Sequence, residues 1–145
     1  MFLAVAATTA DGPYDEKADA KVQIKRTLTD AAKTKTPVII VFGANWCPDC
    51  RVLDIAMKTG ASAPLLAKDF RIVKIDVGRM DKNVDVAEKY GVPLKKGIPA
   101  VAIVSSGREV LYVTKDGELA NAQKMGDQGI YQFLKKVTAE ATAKK

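Results

Sequence analysis

The two cysteines of this 145-residue chain stand three positions apart, in Trp46-Cys47-Pro48-Asp49-Cys50-Arg51. An unbroken apolar run, Val38-Ile39-Ile40-Val41-Phe42, lies just upstream, and residues with helical spacing follow. A continuous apolar run fits a central strand buried on both faces. The sequence therefore predicts a strand that delivers two thiols, through Gly43-Ala44-Asn45, onto the first turn of a helix. Unpaired backbone N–H groups and the positive end of the macrodipole favour thiolate at that place. An ordinary cysteine has a pKa of about 8.5, and such sites lower it to roughly 3.5–7.5. With Cys47 near the cap and Cys50 one turn on, both sulfurs share one side of the helix and can bond to each other. Pro48 suits an early helical position, where its missing N–H loses nothing. Cys47 is expected to be the exposed, attacking sulfur and Cys50 the deeper one that resolves a mixed disulfide.

Other chemistries are narrowed by composition. The chain has no histidine, which removes histidine acid–base catalysis and the usual histidine-containing zinc sites. Two cysteines supply half a structural zinc site, and Arg51 stands where a c-type haem attachment needs histidine. No metal and no cofactor are expected. A structural bridge across so short a loop would remove little unfolded-state entropy, so the pair suits switching better than stapling. The net charge is +6. Nucleic-acid binding is one reading of that number. A solvated basic surface is the preferred one, because the lysines are dispersed and lack interleaved aromatics. No stretch approaches the ~18 apolar residues of a membrane span.

The segment Ala44 to Arg51 resembles the active-site segment of the thioredoxin superfamily, which carries tryptophan before Cys-x-x-Cys. Downstream, Lys89-Tyr90-Gly91-Val92 and Gly97-Ile98-Pro99-Ala100 resemble that family's tyrosine–glycine segment and cis-proline loop. The resemblance implies an α/β, thioredoxin-like fold with a central mixed β-sheet flanked by helices. It also implies a thiol–disulfide oxidoreductase acting through Cys47 and Cys50 on disulfide-bearing protein substrates, with a redox partner still to be identified. Trp46, Pro48, Asp49, Ile98 and Pro99 are the expected substrate-binding residues. Pro99 is the cis-proline candidate, and Ile98 would offer its backbone to a substrate strand. Trp46 is read as partly exposed, against the alternative of a core aromatic. The Asp49 carboxylate should raise the Cys47 pKa, unless it is only a solvated helix-start aspartate. One departure stands out. The family's buried aspartate and its partner lysine fall at Val41 and Ile72, so no proton acceptor for Cys50 is evident; Glu88, Lys74 or water are the candidates.

The remaining elements follow from periodicity. Ala20, Ile24, Leu28 and Ala31 mark one face of a helix within 15–35. Residues 51–68 are helical, with an interruption at Gly60 to Pro64. Phe70 to Val77 fits a second inner strand, and 83–90 a short helix closed by Gly91. Residues 92–97 form a loop able to touch substrate, and 100–104 with 109–113 a hairpin. Asp127 is a candidate N-cap for a final helix carrying Ile130, Phe133, Leu134 and Val137. The expected organisation is a disordered segment over 1–14, one domain over 15–138 and a frayed tail over 139–145, in a monomer. Phe2 to Ala7 reads either as the end of a secretory signal or as a plain tail. Location is thus expected to be periplasmic or secreted, with the cytoplasm as the alternative. The functional expectation is a reductant of protein disulfides. A non-catalytic binding protein of the same fold with a vestigial pair is the alternative, and a metal-carrying dithiol ranks below both.

Overall fold

The structure, a computed structural model, describes residues 12–144. Helix α1 spans Ala20–Thr34. It starts later than the periodicity alone implies, because the Asp19 carboxylate accepts from the N–H groups of Lys21 and Val22 and so caps it. Its buried face is Ala20, Ile24, Leu28 and Ala31, one residue per turn. Strand β1 is Val38–Gly43, buried along its whole length. Helix α2 spans Pro48–Thr59 and α3 spans Ser62–Asp69. Residues 60–61 separate them, and Pro64 sits in the first turn of α3, where proline does no harm.

Strand β2 is Arg71–Asp76, α4 is Val84–Lys89, and a 3₁₀ turn covers Leu94–Lys96. Strands β3 (Ala100–Val104) and β4 (Val110–Val113) form the hairpin, and α5 spans Ala122–Ala143. The sheet order is β2-β1-β3-β4. β1 runs parallel to β2 and antiparallel to β3, so the sheet is mixed. Helix α1 packs on β1 and β2, while α2, α3 and α5 pack against one another. That division covers both faces of β1 and accounts for its apolar run.

Three expectations need correction. β2 is not an inner strand but the edge of the described sheet. Its Ile72 is accordingly only half-buried, and the Gln23 amide reaches over to the Lys74 carbonyl at 3.4 Å. The folded part begins before residue 15. Tyr14 is 3% exposed and joins the core, with its backbone held by the Asn45 side chain. Residues 1–11 of the proposed 1–14 segment, including Phe2 to Ala7, lie outside the described residues. At the other end, 139–144 is not frayed. Ala141 is buried, and the Lys144 ammonium donates to the Leu111 carbonyl at 2.9 Å.

Helix α5 also begins upstream of Asp127. A first turn at Ala122 is separated from the long remainder by Gly126, which adopts φ 70° and ψ 171°. Only glycine occupies that region without strain. The Asp127 carboxylate accepts from the Ala61 N–H at 2.9 Å, tying α5 to the α2–α3 junction.

Candidate active site

Cys47 is the N-cap of α2, with extended backbone angles, and its sulfur accepts from the Cys50 N–H at 3.2 Å. A serine or aspartate usually takes that place, because a side-chain acceptor satisfies an orphan N–H of the first turn. Here the acceptor is a sulfur, and the arrangement works better for thiolate than for thiol. The Cys47 pKa is lowered from 9.0 to about 7. The largest cause is a hydrogen bond from the Cys50 thiol, helped by the Cys50 and Asp49 N–H groups; burial and the Asp49 charge push the other way. Cys50 is driven strongly upward, first by that same hydrogen bond to Cys47 and then by burial. The pair thus divides its work: one sulfur ionises near neutrality while the other keeps its proton.

No disulfide joins Cys47 and Cys50 in the structure. Cys50 is fully buried, and Cys47 is only 4% exposed. The expectation of an openly exposed Cys47 is therefore corrected. The 94–99 loop folds over it, and the Cys47 sulfur lies 3.8 Å from the Ile98 carbonyl. The Ile98–Pro99 peptide bond is cis, and both residues are buried. Little of the Cys47 side chain is therefore open to solvent.

Trp46 is 45% exposed. Its indole N–H donates to the Gly78 carbonyl at 2.7 Å, and the Arg79 guanidinium lies 4.7 Å from the ring centroid. The ring is a fixed wall beside the thiols, held by the β2–α4 loop. Pro48 is exposed at the first turn of α2. Asp49 is half-buried, and its carboxylate accepts from the Gln123 N–H at 2.9 Å. It is thus more than a solvated helix-start residue, since it joins α2 to the start of α5. The structure brings Trp46, Cys47, Asp49 and Cys50 onto one helix start, with Ile98 and Pro99 over it.

The departure at Val41 and Ile72 is filled differently. Val41 is buried among apolar neighbours. Glu88 is exposed and lines a cleft of ≈ 300 Å³ with Met80, Val84, Val92, Pro93 and Leu94. The Lys74 ammonium is paired with Asp54 at 3.0 Å. Asp54, buried one turn beyond Cys50, also pairs with Lys58 at 3.1 Å. This buried carboxylate, and Tyr14, were missed in the sequence. Asp54 had a readable signal, lying four residues after Cys50 on the same helix face; Tyr14 had none. Among the described residues, no group of three or more histidine, cysteine, aspartate or glutamate side chains converges to hold a metal. No helix among them is long and apolar enough to cross a membrane.

Comparison with known proteins agrees with this geometry. Residues 19–106 match a family model described as Thioredoxin-like. The chain is 30% identical over 95 residues to a thioredoxin of Acidithiobacillus ferridurans, covering 66% of this chain and 79% of the relative. It is 31% identical over 98 residues to a thioredoxin of Pseudomonas aeruginosa, covering 65% and 78%. Among solved structures, it superposes with a TM-score of 0.84 on a disulphide isomerase from Xylella fastidiosa Temecula1. That match is 52% identical and covers 88% of this chain and 97% of the other.

Proposed function

The chain belongs to the thioredoxin-like family and is a thiol–disulfide oxidoreductase, and from that premise we propose that it reduces protein disulfides, with Cys47 attacking and Cys50 resolving. The observation that carries this reading is the Cys47 sulfur at the cap of α2, facing the Cys50 N–H at 3.2 Å with its pKa brought to about 7. In the proposed cycle, the Cys47 thiolate attacks one sulfur of a substrate disulfide and the other substrate sulfur leaves. Cys50 then attacks Cys47, forming the intramolecular bridge and releasing the second substrate thiol. Trp46 and the Ile98–Pro99 loop frame the approach, with Pro48 and Asp49 at the rim.

The direction is supported by the size of the pKa shift. A strongly oxidising couple stabilises its reduced form by holding the attacking thiol far down, near about 3.5, whereas reductants hold it near about 7. Asp49 works toward the second case, because its charge opposes the thiolate. Replacement of the family's aspartate and lysine by Val41 and Ile72 supports a periplasmic role with its own electron donor. Fractionation of cells making the natural protein checks that placement.

The decisive test is a pair of variants. Cys50→Ser should accumulate mixed disulfides on Cys47, and Cys47→Ser should lose insulin reduction altogether. A Cys47→Ser protein as active as the natural one would end the proposal. A second reading, disulfide isomerisation, is favoured by the solved relative at 52% identity, which is described as a disulphide isomerase. Recovery of activity from scrambled ribonuclease, without net reduction, would select it.

A further inference from the structure

We propose that Tyr14 is a positioning residue for the resolving thiol: its hydroxyl faces the Cys50 sulfur across Gly43 and donates a hydrogen bond to Cys50 as that sulfur becomes a thiolate. The inference rests on the proposed role of Cys50.

Gly43 ends β1, and its backbone is where the two groups meet. A methyl group there would collide with the Tyr14 hydroxyl and stand 2.9 Å from the Cys50 sulfur. The phenol and the thiol are therefore brought together by a position that lacks a side chain. Tyr14 is held there from both sides of its backbone. Its N–H donates to the Asn45 side-chain oxygen at 2.8 Å, and the Asn45 amide donates to its carbonyl at 2.8 Å. Asn45 lies two residues before Cys47, in the same turn that presents the thiols. The ring is almost entirely buried. A phenylalanine would fill that space equally well, and a buried hydroxyl costs free energy unless it is used.

The surroundings keep the Tyr14 proton in place. Its pKa is raised well above the ordinary value, by burial first and then by Cys50, Asp54, Cys47 and Asp76. The two carboxylates are themselves paired, Asp54 with Lys58 and Lys74, and Asp76 with Lys82. Tyr14 is thus a donor at working pH and not a base. The need for such a donor arises at one moment. In the resting pair, Cys50 donates to the Cys47 thiolate. Once Cys47 is bonded to substrate it is no longer a thiolate, and Cys50 must ionise in a buried place without that partner. Its S–H bond then breaks, the proton passing to solvent water, and its sulfur bonds to Cys47. The Cys47–substrate bond cleaves, and the departing thiolate keeps the electron pair and takes up a proton from solvent. The two cysteines are oxidised and the substrate is reduced. Tyr14 holds its own proton throughout.

Reaction of the full, reduced chain with Ellman's reagent separates the steps, because the first thionitrobenzoate leaves on attack by Cys47 and the second on attack by Cys50. Tyr14→Phe should leave the first release unchanged. The second should slow about tenfold at pH 7, with its pH midpoint about one unit higher, the effect of losing a hydrogen bond to a charged group. Difluorotyrosine placed at position 14 keeps the shape while strengthening the donor, and should move the midpoint down. Second-phase rates within twofold of the natural protein across pH, or both phases slowing together, would overturn the inference. A natural protein with no second release would instead sink the resolving role of Cys50, whatever Tyr14 does.

Discussion

Opposed forces act on the Cys47 sulfur. The Cys50 thiol and two backbone N–H groups pull its pKa down, while partial burial and the Asp49 charge push it up, and the balance rests at about 7. Alkylation by iodoacetamide should therefore rise with pH through a midpoint near 7 and reach its plateau about a unit above it, because only the thiolate reacts. An unperturbed thiol would place that midpoint near 9. Asp49→Asn isolates the charge. Asparagine keeps a side-chain oxygen for the Gln123 N–H, so the tie to α5 survives. The Cys47 midpoint should fall, alkylation at pH 6 should quicken, and the couple should become more oxidising as the reduced form gains stability. A midpoint that stays or rises would mean that Asp49 acts only through the α5 contact.

At the scale of elements, the junction between α2, α3 and α5 holds the thiol-bearing helix in place. Gly126 lets α5 turn after its first four residues, at angles that a residue with a Cβ avoids. Gly126→Ala should cost about 1–3 kcal/mol, read as a lower urea midpoint with an unchanged slope. Which elements could be read from the sequence follows from the same physics. Helix α1 and strand β1 bury complete faces, so their residues carry the period of the element. The start of α5 was not legible, because Gly126 and Asp127 mimic a helix beginning that the fold places at Ala122. Its far end was not legible either: an Ala/Lys tail looks the same whether it frays or, as here, docks Ala141 and ties Lys144 to Leu111. At the site, the Cys-x-x-Cys spacing and the apolar strand before it were legible because they are local. The Asp49–Gln123 bond joins residues 74 apart, and the Tyr14–Asn45 clamp joins residues 31 apart. Neither leaves a pattern along the chain.

For the whole molecule, the redox direction is a question about which covalent state the fold prefers. Folding and disulfide formation share one thermodynamic cycle, so a couple more reducing than an unstrained dithiol must fold more stably when oxidised. The surroundings of the pair point that way. Cys50 sits in a fully buried place, and Cys47 is almost covered, beside the carboxylate of Asp49. A bridge between them removes an ionisable sulfur from partial burial, and an uncharged disulfide bears no desolvation cost there. Hydrogen bonds from the Cys50 thiol and N–H more than offset that cost for the Cys47 thiolate, while burial and the Asp49 charge are why its pKa stops at about 7 instead of falling further. The oxidised protein should therefore melt several degrees above the reduced one at pH 7, and the couple should equilibrate with glutathione at a potential more negative than about −220 mV. The gap should narrow as pH rises through the Cys47 pKa, because ionisation stabilises only the reduced form. A reduced protein that outlasts the oxidised one on heating would reverse the assignment and make the molecule a donor of disulfides.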